Sequence, residues 1–169
     1  MSDLPDIPFD AGEAAAVDAF LAYQRAVFAR KTAVLDAAGM RTTLGPSTMT
    51  LGGMLAHLAF VEDYWFGYVL LGARPAAPFD AMDWEADPDA DWRHAHELAP
   101  HELRGLWADA VARSREARAG VALDQLAARD RHGEAPSLRW ILLHMIEEYA
   151  RHLGHADLLR ESIDGATGD

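Results

Sequence analysis

Apolar positions recur with helical spacing in four stretches of the chain. The first runs from about Ala14 to Ala38, where Val17, Phe20, Leu21, Gln24, Val27, Phe28, Val34 and Leu35 share one broad face. Gly39 follows where a left-handed residue would stop the helix. After the turn "LGPSTMT", Thr50 or Ser47 is the expected N-cap of a second helix over about 50–71. Leu51, Met54, Leu55, Leu58, Val61 and Trp65 form its stripe, and Gly72 ends it. Residues 72–99 lose the period and are rich in Pro and Asp; a connection this long in a compact domain is usually functional or carries a short element. Pro100 suits the first position of a third helix, with Glu102 favourable to its dipole, reaching about Arg118. A mixed connector (119–135) ends in "GEAPS", Ser137 caps a fourth helix over about 138–163, and "DGATGD" is expected to fray. No persuasive internal repeat or sustained strand pattern interrupts this series. The expectation is an all-α protein, a four-helix bundle with one long crossover connection.

Composition narrows the class. At 169 residues the chain is expected to form a single domain over 1–169, with an acidic N-terminal arm (1–12) and a frayed tail (164–169). Half its residues are hydrophobic, enough for a packed interior. A formal net charge of −12 repels duplex nucleic acid and anionic membranes, so neither is an expected partner. The absence of cysteine removes disulfides and any protein-borne thiol nucleophile. No apolar run approaches a membrane span, and the acidic start does not read as a signal peptide, so a cytoplasmic location is the default expectation. "DPDAD" at 87–91 is not a calcium loop, because Trp92 and Leu98 stand where glycine and glutamate are needed; it reads as a solvated acidic loop. His94, His96 and His101 cluster in sequence and make a weak second metal candidate. Trp84 and Trp92 either cover a cavity mouth or anchor the loop.

The chemistry concentrates in "LLHMIEEYARHLGH" (142–155). His144, Glu148, His152 and His155 fall along one stripe of an otherwise apolar helix. Steps of four residues turn the helix by ~40° and advance it by ~6 Å. A buried ionised carboxylate there costs several kcal/mol unless it is paired or bound to a metal. Glu147 is explained locally by Arg151, which could also serve Glu148. His144 and His152 lie ~12 Å apart along the axis, too far for one ion. A mononuclear site would use His144 with Glu148, or Glu148 with His152, and a third ligand from another helix. His57, on or beside the apolar face of the second helix, is the candidate. Three N/O ligands leave a coordination position open for catalysis. His144 and His155 read more simply as hydrogen-bonded or cavity-lining groups.

The segments "PSTMTLGGMLAHLAFVEDYWF" and "PSLRWILLHMIEEYARHLGHADLLRE" resemble the two signatures of the DinB-like superfamily. They are closest to its actinobacterial branch, related to mycothiol-dependent transferases and maleylpyruvate isomerases. The resemblance implies a bundle with a divalent metal held by three side chains, one on the second helix and a pair four residues apart on the fourth. Carried over position by position, these are His57, Glu148 and His152. Glu148 replaces the histidine common in the superfamily, and the resulting His, Glu, His set is similar to that of the isomerase branch. Zinc is the first metal expected, with nickel, iron or manganese as alternatives. The resemblance further implies a low-molecular-weight thiol cosubstrate such as mycothiol, a small-molecule electrophile, and pairing into homodimers. Two other readings remain: a metal-dependent hydrolase with His144 or His155 as base, and a non-catalytic metal- or ligand-binding bundle.

Overall fold

The structure, a computed structural model, describes residues 4–168. The first three residues of the predicted acidic arm and the last of the predicted tail lie outside the described residues. The described chain is helical, with no strand and two isolated bridges, Leu126–Ser137 and Arg131–Glu134.

Helix α1 spans Glu13–Thr32, with Glu13 in its first turn and Arg30 and Lys31 in its last, both favourable to the dipole. It ends earlier than the apolar spacing predicts. Thr32 Oγ1 donates back to the carbonyls of Phe28 and Ala29, and the chain leaves the helix there. Asp36 then caps a separate short helix, α2 (Ala37–Arg41), by accepting from Gly39 N–H at 2.9 Å. Gly39 therefore lies inside a new helix rather than closing the first. Leu35 and Met40 are still buried, which is why the apolar pattern seemed unbroken.

Helix α3 (Leu51–Glu62) is capped by Thr50, which accepts from Gly53 N–H at 2.9 Å. It runs on as a π-helical segment, Asp63–Leu70, and Gly72 turns the chain at φ 70°. The long connector carries a 3₁₀ turn (Phe79–Ala81) and helix α4 (Ala90–His94). Helix α5 (Pro100–Arg118) opens with Pro100, and Glu102 accepts from Ala99 N–H at 2.7 Å. Helix α6 (Leu138–Asp164) is capped by Ser137 and closed by Gly165 in the left-handed conformation. Beyond it, Lys31 Nζ donates to the Gly168 carbonyl at 2.6 Å.

Helix α1 packs along α6, α3 along α5, and α3 also meets α6. Their shared interior holds Phe28, Leu55, Phe66, Ile141, Met145 and Tyr149, all fully buried. A polar network crosses it. Arg25 forks onto the fully buried Glu62 at 2.7 and 2.6 Å. Tyr149 O–H donates to Glu62 Oε1 at 2.7 Å, and Trp107 Nε1–H donates to the Tyr149 oxygen at 2.8 Å. This network ties α1, α3, α5 and α6 together through Glu62 and Tyr149, and Tyr149 adjoins Glu148 in sequence. Burial above all, with the charge of Glu62, pushes the Tyr149 hydroxyl well above its ordinary pKa, so it remains a donor.

Candidate metal centre

His57 projects from the middle of α3 toward α6, one turn after Gly53. Its Nε2 lies 3.1 Å from Glu148 Oε1, and the same oxygen lies 3.5 Å from His152 Nε2. One ligand atom from each residue falls within 4.8 Å of the others; among the described residues this is the one such group of three. Tetrahedral ligands at ~2.0–2.1 Å from an ion stand about 3.4 Å apart. The separations of 3.1 and 3.5 Å are close to that spacing, and the third lies within 4.8 Å.

The back of the site is built by the long connector. Asp91, 2% exposed, accepts from His57 Nδ1–H at 2.7 Å. A carboxylate only accepts, so this contact puts the proton on Nδ1 and turns Nε2 toward Glu148. Carboxylate-to-histidine support of this kind orients metal-binding imidazoles and raises their basicity. Asp91 is itself held by the Trp92 N–H at 2.9 Å. The Trp92 ring stacks on His57 with centroids 5.1 Å apart. The acidic stretch 87–91 is thus not wholly a solvated loop: its last residue is buried against the site. Sequence reasoning missed Asp91, whose one available signal was an acid beside a tryptophan in an otherwise Pro- and Asp-rich connector.

The glycines of "TLGG" follow from this packing. A Cβ on Gly53 would overlap the Trp92 ring, and one on Gly52 would come 2.9 Å from the Met40 carbonyl. Gly53 lets the indole descend onto α3 and reach His57.

Electrostatics couples the three groups. Burial alone would push His57 down, but its hydrogen bonds and proximity to Asp91 and Glu148 prevail and raise it to about 9. Hydrogen bonds to His152 and then His57 hold Glu148 well below the usual carboxylate range, against the opposing effect of burial. Both shifts have one origin, an imidazole with a carboxylate facing each of its nitrogens. His152 Nδ1 and His155 Nδ1 are buried without hydrogen-bond partners.

The remaining sequence candidates are elsewhere. His144 does not join the cluster: it stacks on Trp140 and meets the edge of Trp65, and its nearest carboxylate oxygen is Glu147 Oε2 at 3.8 Å. Burial, partly opposed by Glu148 and Glu147, keeps it below the ordinary histidine range. His155 lies beside His152, ring centroids 5.7 Å apart. His94 pairs with Glu97, while His96 and His101 are exposed. Trp84 stacks on Phe60 in the wall of a cavity of about 750 Å³, which Glu148 also lines.

Fold and site together define an all-helical protein in which two helices and a connector assemble a His, Glu, His group that could hold a metal ion. The Mycothiol-S-transferase family matches residues 16–165, from within α1 to the glycine that closes α6, and the chain belongs to that family. Among curated proteins no relative matches. No helix among the described residues is long and apolar enough to cross a membrane.

Proposed function

We propose that this chain is a metal-dependent thiol S-transferase with the DinB-like four-helix bundle architecture, acting in the cytoplasm. His57, Glu148 and His152 would hold a divalent metal, zinc first, with nickel, iron or manganese as alternatives. A low-molecular-weight thiol of the mycothiol type is the cosubstrate, since the chain has no cysteine of its own. A metal bound there would supply a Lewis acid that favours the thiolate form of that thiol at neutral pH. The chain's own residues do the rest. Asp91 fixes the ring of His57, Trp92 shields its face from water, and the aromatic cavity beside Glu148 receives the electrophile. His144, in the wall of that cavity, is the imidazole available to take the thiol proton, and burial keeps it neutral near pH 7. The sulfur then bonds to the electrophilic carbon, and a leaving group departs with its electron pair.

The observation that carries this reading is the approach of His57 Nε2 and His152 Nε2 to one oxygen of Glu148, with Asp91 behind His57. Elemental analysis of purified protein beside Glu148→Gln tests the site. Mycothiol conjugation to monobromobimane, with and without His57→Ala, tests the chemistry. Bound metal in the parent, its loss in Glu148→Gln, and thiol-dependent conjugation abolished by His57→Ala are expected. A metal-loaded protein that conjugates no thiol, or that cleaves esters without one, overturns the transferase reading.

A further inference from the structure

The cavity beside Glu148 has aromatic walls, including Phe60, Tyr64, Trp65 and Trp84, and one arginine, Arg131. A second cavity, of about 520 Å³, shares Trp65 and Arg131 with it, so this side chain stands at the divide between the two. The Arg131 guanidinium lies 5.0 Å from the centre of the Trp65 ring and 5.7 Å from that of Tyr64. Among the described residues it makes no hydrogen bond and no ion pair. Its neighbour Arg129 differs: that group also lies over a ring, Tyr68, but is tied to the carbonyls of Tyr68 and Gly72 at 3.1 and 3.0 Å.

What sets Arg131 apart is its place in the walls of both cavities with its guanidinium over two rings. Its placement is also fixed. Arg131 opens a tight turn closed by Glu134, Arg131 N–H donating to the Glu134 carbonyl at 2.9 Å. Both central residues are left-handed, His132 at φ 57° and Gly133 at φ 86°. A two-residue turn of this kind requires positive φ at both central positions, which histidine tolerates better than most side chains. The guanidinium lies over these two rings in an exposed position, and its N–H groups have no protein acceptor. Glu134 lines one of these cavities and Glu148 the other, and neither they nor the adjacent Asp130 pairs with it.

We propose that Arg131 is a specificity-determining residue for an electrophile with a carboxylate or similar planar oxyanion on an apolar, unsaturated body. The oxyanion meets the guanidinium fork, the flat body lies between the aromatic walls, and the reacting carbon points toward Glu148. Two parallel N–H···O bonds give a carboxylate both charge and shape recognition. Arg131 lines the same cavity that the transferase reading gives to the electrophile, so the anion is assigned to that substrate. The transferase reading is needed only for calling this ligand the electrophile; the anion site itself stands on geometry.

Binding of 2-naphthoate and of neutral 2-naphthamide to the purified full chain, followed by quenching of tryptophan fluorescence, tests it. Metal-loaded and chelator-treated protein are both titrated, so that a carboxylate bound to the metal is recognised as such. The expected result is that naphthoate binds about tenfold more tightly than naphthamide in both forms. Arg131→Gln should abolish that preference while leaving naphthamide unchanged, and Arg131→Lys should retain part of it. Equal affinity for the two probes, a preference confined to the metal-loaded form, or a preference that survives Arg131→Gln overturns the proposal. If conjugation fails with every thiol while the Arg131-dependent preference holds, the transferase reading falls and the anion site remains. If conjugation proceeds and the probes do not discriminate, the reverse is concluded.

Discussion

His57 shows how much of the site is decided by single contacts. Its ring is set by Asp91 on one nitrogen and covered by Trp92, and Trp92 reaches it only because residue 53 has no side chain. Asp91→Asn and Gly53→Ala should each lower metal affinity by about 10- to 100-fold with the helical fold retained, as measured by competition with a chelator. Protonation gives an independent reading in the metal-free protein. His57 is raised from 6.5 to about 9, so its contribution to stability is complete below pH 6.5 and is lost as pH rises through 9. Glu148 is lowered from 4.5, so its contribution is present above that pH and fades as pH falls further. Thermal melts of chelated protein should therefore show Tm falling from pH 6.5 to above 9 more steeply than in His57→Gln. At this scale the sequence is informative about which side chains come together and silent about their support. Glu148 and His152 sit four apart on one helix, a relation visible in the chain itself. Asp91 is 34 residues from its partner, and no local pattern marks it.

At the scale of elements, capping chemistry was legible and continuity was not. Thr50, Pro100 and Ser137 stand at the starts of α3, α5 and α6 because short-range hydrogen bonding and fixed φ favour them there. The apolar spacing overruns the end of α1, since Leu35 and Met40 remain buried after the helix has stopped, and periodicity reports burial rather than backbone bonding. The π-helical continuation of α3 had no sequence signature either, nor did the pairing of Arg25 with Glu62 across 37 residues. That pair fixes α1 against α3, and through Tyr149 and Trp107 it reaches α6 and α5. Removing one partner strands a buried charge. Glu62→Gln or Arg25→Met should destabilise the protein by about 3–5 kcal/mol in denaturant unfolding. Replacing both with apolar residues should cost less than either single change, because neither charge is then left alone.

Across the whole molecule, the candidate metal group and the aromatic cavity meet at Glu148, on α6. A metal that binds only the folded chain stabilises it by mass action, about 2.7 kcal/mol at a hundredfold excess over its dissociation constant. Melts with added zinc should show a rise in Tm that disappears in His152→Ala. The acidic net charge disfavours polyanions at the surface as a whole, and Arg131 over its ring faces is a local point of opposite sign. The chain by itself determined the helical class and brought forward His57, Glu148 and His152, because a helix is a local period and side chains four apart share a face. Tertiary structure alone decided that Asp91 reaches His57, that Glu62 and Tyr149 together tie four helices, and that Arg131 stands over Tyr64 and Trp65. Those relations join residues distant in sequence, and only the packed chain brings them within reach of a hydrogen bond or a ring face.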